Sequence, residues 1–111
     1  MKRVEGFIKP HRLSNVVAAL HALPQFTGFT IADGHGQGHG RGAGGHYAYE
    51  PDQGLLYHKQ CLFIVICQDD EAASIAQTIA RAAHTGNKGD GIVTVSDIST
   101  VIRVRDAGGT P

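Results

Sequence analysis

The sequence predicts an α+β fold in which an antiparallel sheet carries two helices on one face, in the order β-α-β-β-α-β. Three observations predict it. Two stretches repeat apolar residues at the helical period, and β-prone stretches flank each of them. The most apolar run, residues 61–67, is too short for a helix that buries itself and suits a central strand. One connection, about residues 36–58, is far longer than the others and separates the second strand from the third. The order is that of the split-βαβ, ferredoxin-like arrangement, here expected as one domain over residues 1–111.

The first strand is KRVEGFIK, residues 2–9, ending at Pro10. In RLSNVVAALHAL, Leu13, Val16, Val17, Leu20 and Leu23 line one side of an amphipathic helix that Pro24 stops. The second strand is predicted over TGFTIAD, residues 27–33. The third is CLFIVIC, continuous enough to be buried on both faces. In QDDEAASIAQTIARAAH, Ala72, Ile75, Ala76, Ile79 and Ala83 form a second stripe, Asp69 or Asp70 is placed to cap it, and Gly86 suits the C′ position. GIVTV and STVIRVR read as one or two closing strands.

Composition narrows the function. The formal net charge is zero, from 10 basic and 10 acidic residues, so nothing drives the whole chain toward nucleic acid or an anionic membrane. No apolar run is long enough to span a bilayer, no signal peptide is present, and the cytoplasm is the expected location. Cys61 and Cys67 share a face of one strand, about 20 Å apart, and read as buried apolar residues rather than ligands.

Four constellations carry chemistry. TGNKGDG, residues 85–91, follows a helix and precedes a strand; its backbone N–H groups can form an anion nest or simply a tight turn. Arg103 and Arg105 alternate with Ile102 and Val104, which on a strand presents two guanidinium groups to one side, a pattern suited to phosphate. The segment GHGQGHGRGAGGH, residues 34–46, holds seven glycines and the histidines His35, His39 and His46, candidate ligands for a divalent metal, with His58 as a further one. Tyr47 and Tyr49 follow as candidate anchoring or modification sites. No nucleophile–base pair stands out by motif, so no catalytic residue is assigned and an enzyme is not expected.

In order along the chain, MKRVEGFIKPHRLSNVVAALHAL, TGFTIADGHGQG, ARAAHTGNKGDGIVTV and VIRVRDAGG resemble the segments MKxIxAIIKPFKLxxVxxAL, TGMTVxxVxGFGRQ, AxTGKIGDGKIFV and IRIRTGE of the nitrogen regulatory P-II signal proteins. The resemblance covers nearly the whole chain outside the long loop. It implies a βαββαβ subunit assembling as a homotrimer, with adenine nucleotide (ATP, ADP or AMP) held in the clefts between subunits. It makes the 36–58 segment a flexible T-loop that contacts a regulated protein, such as a membrane transporter. Matched by motif, Thr30, Gly36 and Gly38 line the nucleotide cleft, Gly89, Asp90 and Gly91 wrap phosphates, Arg103 and Arg105 reach them from the last strand, and Lys9 and Pro10 lie at the cleft's base.

The departures from the family pattern point further. Ile92 replaces the lysine after GDG, which favours a di- or monophosphate over a triphosphate. His39 and Gly40 stand where the family has arginine and glutamine, which argues against 2-oxoglutarate sensing. The chain is thus expected to be a divergent, non-enzymatic signal-transduction protein. The alternative is a metal-binding or metal-responsive relative, P-II-like or CutA-like, using the loop histidines.

Overall fold

The computed structural model describes residues 1–24, 26, 28–36 and 58–108. Four strands, β1 (Lys2–Ile8), β2 (Thr30–Gly36), β3 (His58–Cys67) and β4 (Gly91–Asp97), form one antiparallel sheet in the order β2-β3-β1-β4. Helix α1 (Leu13–His21) follows a 3-10 turn, Pro10–Arg12, and α2 (Ala72–Ala83) follows another, Asp69–Glu71. Both helices pack on one face of the sheet, which is the ferredoxin-like arrangement. A single helical turn, α3 (Val104–Ala107), ends the described chain.

The core follows from the two periodicities. Val4 and Ile8 of β1 alternate with outward residues, and Cys61, Phe63, Val65 and Cys67 do the same on β3. The helices meet them with Val16 and Leu20 from α1 and Ala72, Ile75, Ile79 and Ala83 from α2. Gly6 sets how close α2 comes: a Cβ there would lie 3.0 Å from Ile79 Cγ2. Both cysteines are buried and unpaired with each other, as their spacing predicts.

Among the described residues, nothing covers the opposite face. Glu5 and Phe7 of β1 and Leu62 and Ile64 of β3 are only half-buried, Ile66 is 39% exposed and Ile92 is 62% exposed. The expectation that CLFIVIC is buried on both faces therefore fails among the described residues. The strand is central in the sheet, yet the helices shield only alternate residues.

Other expectations are corrected. The second strand begins at Thr30 and runs to Gly36, not over 27–33: ADGHG is drawn into the sheet by main-chain pairing, Gly34 opposite Gln60 and Gly36 opposite His58. Neither Asp69 nor Asp70 caps α2, whose first residues are preceded by a 3-10 turn; Asp69 instead meets the Met1 amine at 2.8 Å. Gly86 is not the C′ residue, because α2 ends at Ala83 and His84 is already extended. STVIRVR is not a strand: Arg103 is extended but unpaired, and Arg105 lies in α3. Alternation alone does not make a strand when no neighbour supplies hydrogen bonds, and every residue from 99 to 108 is exposed.

The register defines two ends of the sheet. At one end Ile8 lies between Cys61 and Gly91. Beyond it β2 and β3 continue alone, as a two-strand ribbon pairing 34–36 with 58–60. At the other end Lys2 lies between Cys67 and Asp97, and the chain leaves there toward α3.

Candidate functional site

The 84–91 connection is built around one carboxylate. Asp90 Oδ2 accepts the Thr85 N–H at 2.8 Å and the Gly86 N–H at 3.0 Å, while Oδ1 accepts the Thr85 hydroxyl. Lys9 Nζ stands 3.2 Å from Asp90 Oδ1 and 3.5 Å from the Thr85 hydroxyl. Donation by the Thr85 hydroxyl, then by the Thr85 and Gly86 N–H groups and Lys9, holds the Asp90 carboxyl well below the ordinary carboxylate range, against an opposing effect of burial. His84 Nδ1 lies 3.6 Å from Asp90 Oδ2, with its ring largely exposed.

This arrangement bears on both readings of TGNKGDG. Asp90 is a structural acceptor, and it takes two of the N–H groups that a nest would offer. The Asn87 N–H is also taken, by the Thr85 hydroxyl at 3.1 Å. The N–H groups of Lys88 and Gly89, at the crest, find no acceptor among the described residues. An anion there would meet that crest, not a full nest.

Two glycines are required by geometry. Gly89 has φ +81° and Gly91 has φ +105°. At Gly91 a Cβ would also collide with the Phe7 carbonyl oxygen, at 1.6 Å. The crest is thereby pulled tight against the end of β1. A depression of about 150 Å³ lies beside it, with Ile8, Ala80, His84, Asp90 and Ile92 in its walls.

The remaining predicted nucleotide residues are elsewhere. Thr30 and Gly36 belong to β2, one edge of the sheet, whereas Gly91 begins β4, the other edge. β3 and β1 lie between, a separation of about 14 Å across three strand spacings. Arg103 and Arg105 follow the far end of β4, and Arg105 pairs with its neighbour Asp106 at 3.7 Å. One chain therefore does not bring these three groups together.

The metal candidates divide as well. Gly38, His39 and His46, with Tyr47 and Tyr49, lie outside the described residues. His35 is exposed near the end of β2 and is paired with Lys59 in register. His58 is opposite Gly36, so its side chain leaves the other face of the ribbon from His35. The ribbon thus does not offer these two imidazoles to one ion. Among the described residues no cluster of three or more His, Cys, Asp or Glu is placed to hold a metal.

Two participants escaped the sequence reading, Thr85 and Arg12. Thr85 precedes the glycines and bonds Asp90 five residues on, a local pairing that a hydroxyl before a Gly-rich turn hints at. Arg12 donates from Nε at 3.1 Å and from Nη2 at 2.7 Å to the Ala82 carbonyl, a contact across 70 residues with no sequence signal.

The comparisons with known proteins agree on one family. The family model described as "Nitrogen regulatory protein P-II" matches residues 1–108. The Nitrogen regulatory protein P-II of Azospirillum brasilense is 30% identical over 110 residues, covering 95% of this chain and 92% of the relative. That of Rhizobium meliloti (strain 1021) is 31% identical over 110 residues with the same coverage, 95% and 92%. Nitrogen regulatory protein P-II 1 of Escherichia coli (strain K12) is 33% identical over 106 residues, again 95% of this chain and 92% of the relative.

Proposed function

The chain belongs to the nitrogen regulatory protein P-II family of non-enzymatic signal-transduction proteins, and from that membership we propose that it binds an adenine nucleotide between the subunits of a homotrimer. In this reading the bound nucleotide sets the loop after β2, and the loop regulates a partner protein in the cytoplasm, a membrane transporter being the expected kind. Among the described residues no helix is long and apolar enough to cross a membrane, so such a target would be engaged from outside the bilayer.

The observation that carries the reading is the separation of the predicted nucleotide residues onto opposite edges of one sheet. Residues matched to a single ligand yet divided between the β2 edge and the β4 edge fit a cleft made by two chains. The uncovered apolar face of Leu62, Ile64 and Ile66 supports association between copies. Arg103 and Arg105 are exposed on a segment that leaves the sheet, and in this reading they reach a neighbour's 84–91 turn. There the crest N–H groups of Lys88 and Gly89 would meet phosphate oxygens, with the guanidinium forks supplying charge. Ile92 adds none, which favours ADP or AMP over ATP.

Calorimetry with ATP, ADP and AMP, with and without Mg²⁺, tests this. Binding of ADP or AMP that weakens about tenfold or more in Arg103→Ala and Arg105→Ala is the expected result. No binding of any of the three at millimolar concentration removes the nucleotide half of the proposal.

A second reading, metal sensing, has one observation in its favour: Asp33 and His35 lie two apart on β2 and share a face at the root of the loop. Titration with Zn²⁺, Cu²⁺ and Ni²⁺ of wild type and of a His35→Ala, His39→Ala, His46→Ala variant tests it. Equal affinity in both proteins sinks it.

A further inference from the structure

Resting on the nucleotide reading above, we propose that Lys9 and Arg12 are positioning residues that hold the 84–91 turn in its anion-accepting shape. They sit at the two ends of a rigid bracket. Pro10 starts the 3-10 turn, and the Arg12 N–H closes it on the Lys9 carbonyl at 3.0 Å. From this bracket the two cations reach opposite ends of the same connection.

Arg12 grips the entry. Its Nε and Nη2 both donate to the Ala82 carbonyl, one of the last carbonyls of α2, which have no partner within the helix. A guanidinium there also complements the negative end of the helix dipole. Two residues on, His84 has ψ 129°, so α2 stops where the fork holds it.

Lys9 grips the exit. Its ammonium joins Asp90 at 3.2 Å and the Thr85 hydroxyl at 3.5 Å, and it is mostly buried. Its Cε lies 3.8 Å from where a Cβ of Gly89 would be, so the stem runs beneath the crest. Asp90 then spends its ionised oxygens on Thr85, Gly86 and Lys9, and the crest N–H groups of Lys88 and Gly89 have no acceptor among the described residues. Neither cation needs to touch the ligand. Both reduce the reorganisation that an anion would otherwise have to impose on the turn.

The test compares wild type with Arg12→Ala, Arg12→Lys, Lys9→Met and, as a control, Val16→Ala. Val16 is fully buried in α1 and does not contact the ligand turn in this scheme. ADP affinity is measured by calorimetry well below each melting temperature, and the Gly86 and Gly89 amides are followed by ¹H–¹⁵N spectra without ligand. Arg12→Ala and Lys9→Met are expected to weaken ADP about tenfold, with shifted, faster-exchanging amides at Gly86 and Gly89. Arg12→Lys recovers part of the affinity, and Val16→Ala lowers the melting temperature with affinity unchanged. Wild-type affinity in Arg12→Ala, or an equal loss in Val16→Ala, overturns the proposal. If wild type itself takes up no ADP, the nucleotide reading fails separately. The positioning role then stands or falls on the ligand-free amides, and unchanged Gly86 and Gly89 signals in Arg12→Ala reject it.

Discussion

Thr85 and Asp90 close the turn on itself: the Thr85 hydroxyl and N–H both donate to the Asp90 carboxylate, one to each oxygen. The bonds exist for the ionised acceptor, and they hold its pKa well below the ordinary value near 3.9. A depressed folded pKa gives stability that is complete above the unfolded pKa and is lost progressively as pH falls from there down through the folded pKa. Urea midpoints of wild type should therefore begin to drop near about pH 5 and go on dropping below about pH 3, more steeply than those of Asp90→Asn. Parallel curves for the two proteins would show that the turn does not depend on this charge.

Gly91 to Ala tests the close approach of β4 to β1. The new methyl has no room beside the Phe7 carbonyl, and the backbone at φ +105° is unsuited to alanine. The expected cost is more than about 3 kcal/mol, read from chemical denaturation. A loss below about 1 kcal/mol would mean that the start of β4 moves away freely.

Phe63 and Ile64 are neighbours that face opposite ways. Phe63 is fully buried under the helices, with its ring centroid 4.5 Å from that of Phe29. Phe63→Ala should cost about 3–5 kcal/mol within the subunit. Ile64→Asp places a charge on the uncovered face and should leave a folded monomer, seen by light scattering after size exclusion. A trimer that persists in Ile64→Asp would place the subunit contact elsewhere.

Complementation separates a shared cleft from a site within one chain. Gly36→Asp blocks the β2 edge and Gly89→Asp blocks the turn beside β4, and each variant alone should lose ADP binding. Mixed trimers, refolded from both, should regain binding in about a third of their clefts at most, because some neighbours present two unmodified edges. No recovery in mixed trimers of confirmed composition would argue for a site confined to one subunit.

Much of the fold is legible because it rests on period. The Val16 and Leu20 stripe, the Ile75 and Ile79 stripe and the alternation in β1 each declare the face that must be buried. The β2 boundary was not legible, because ADGHG has no apolar signal and becomes a strand only through pairing with 58–62. The arginine segment misled for the converse reason: its alternation resembles a strand, yet no strand among the described residues completes it.

The sequence by itself determined the element order, the helix faces, the need for glycine in the turn and the family, since all of these depend on local pattern or on motifs read in order. Only the tertiary structure decided which partners the candidate site residues have within the chain. It gave Asp90 to Thr85 and Lys9, gave Arg12 to the end of α2, and divided Thr30 and Gly36 from Gly89 and Gly91 by the full width of the sheet. The reason is physical: a side chain's partner is set by strand order and by how closely helix and sheet pack, and contacts across 70 or more residues leave no periodic trace in the chain.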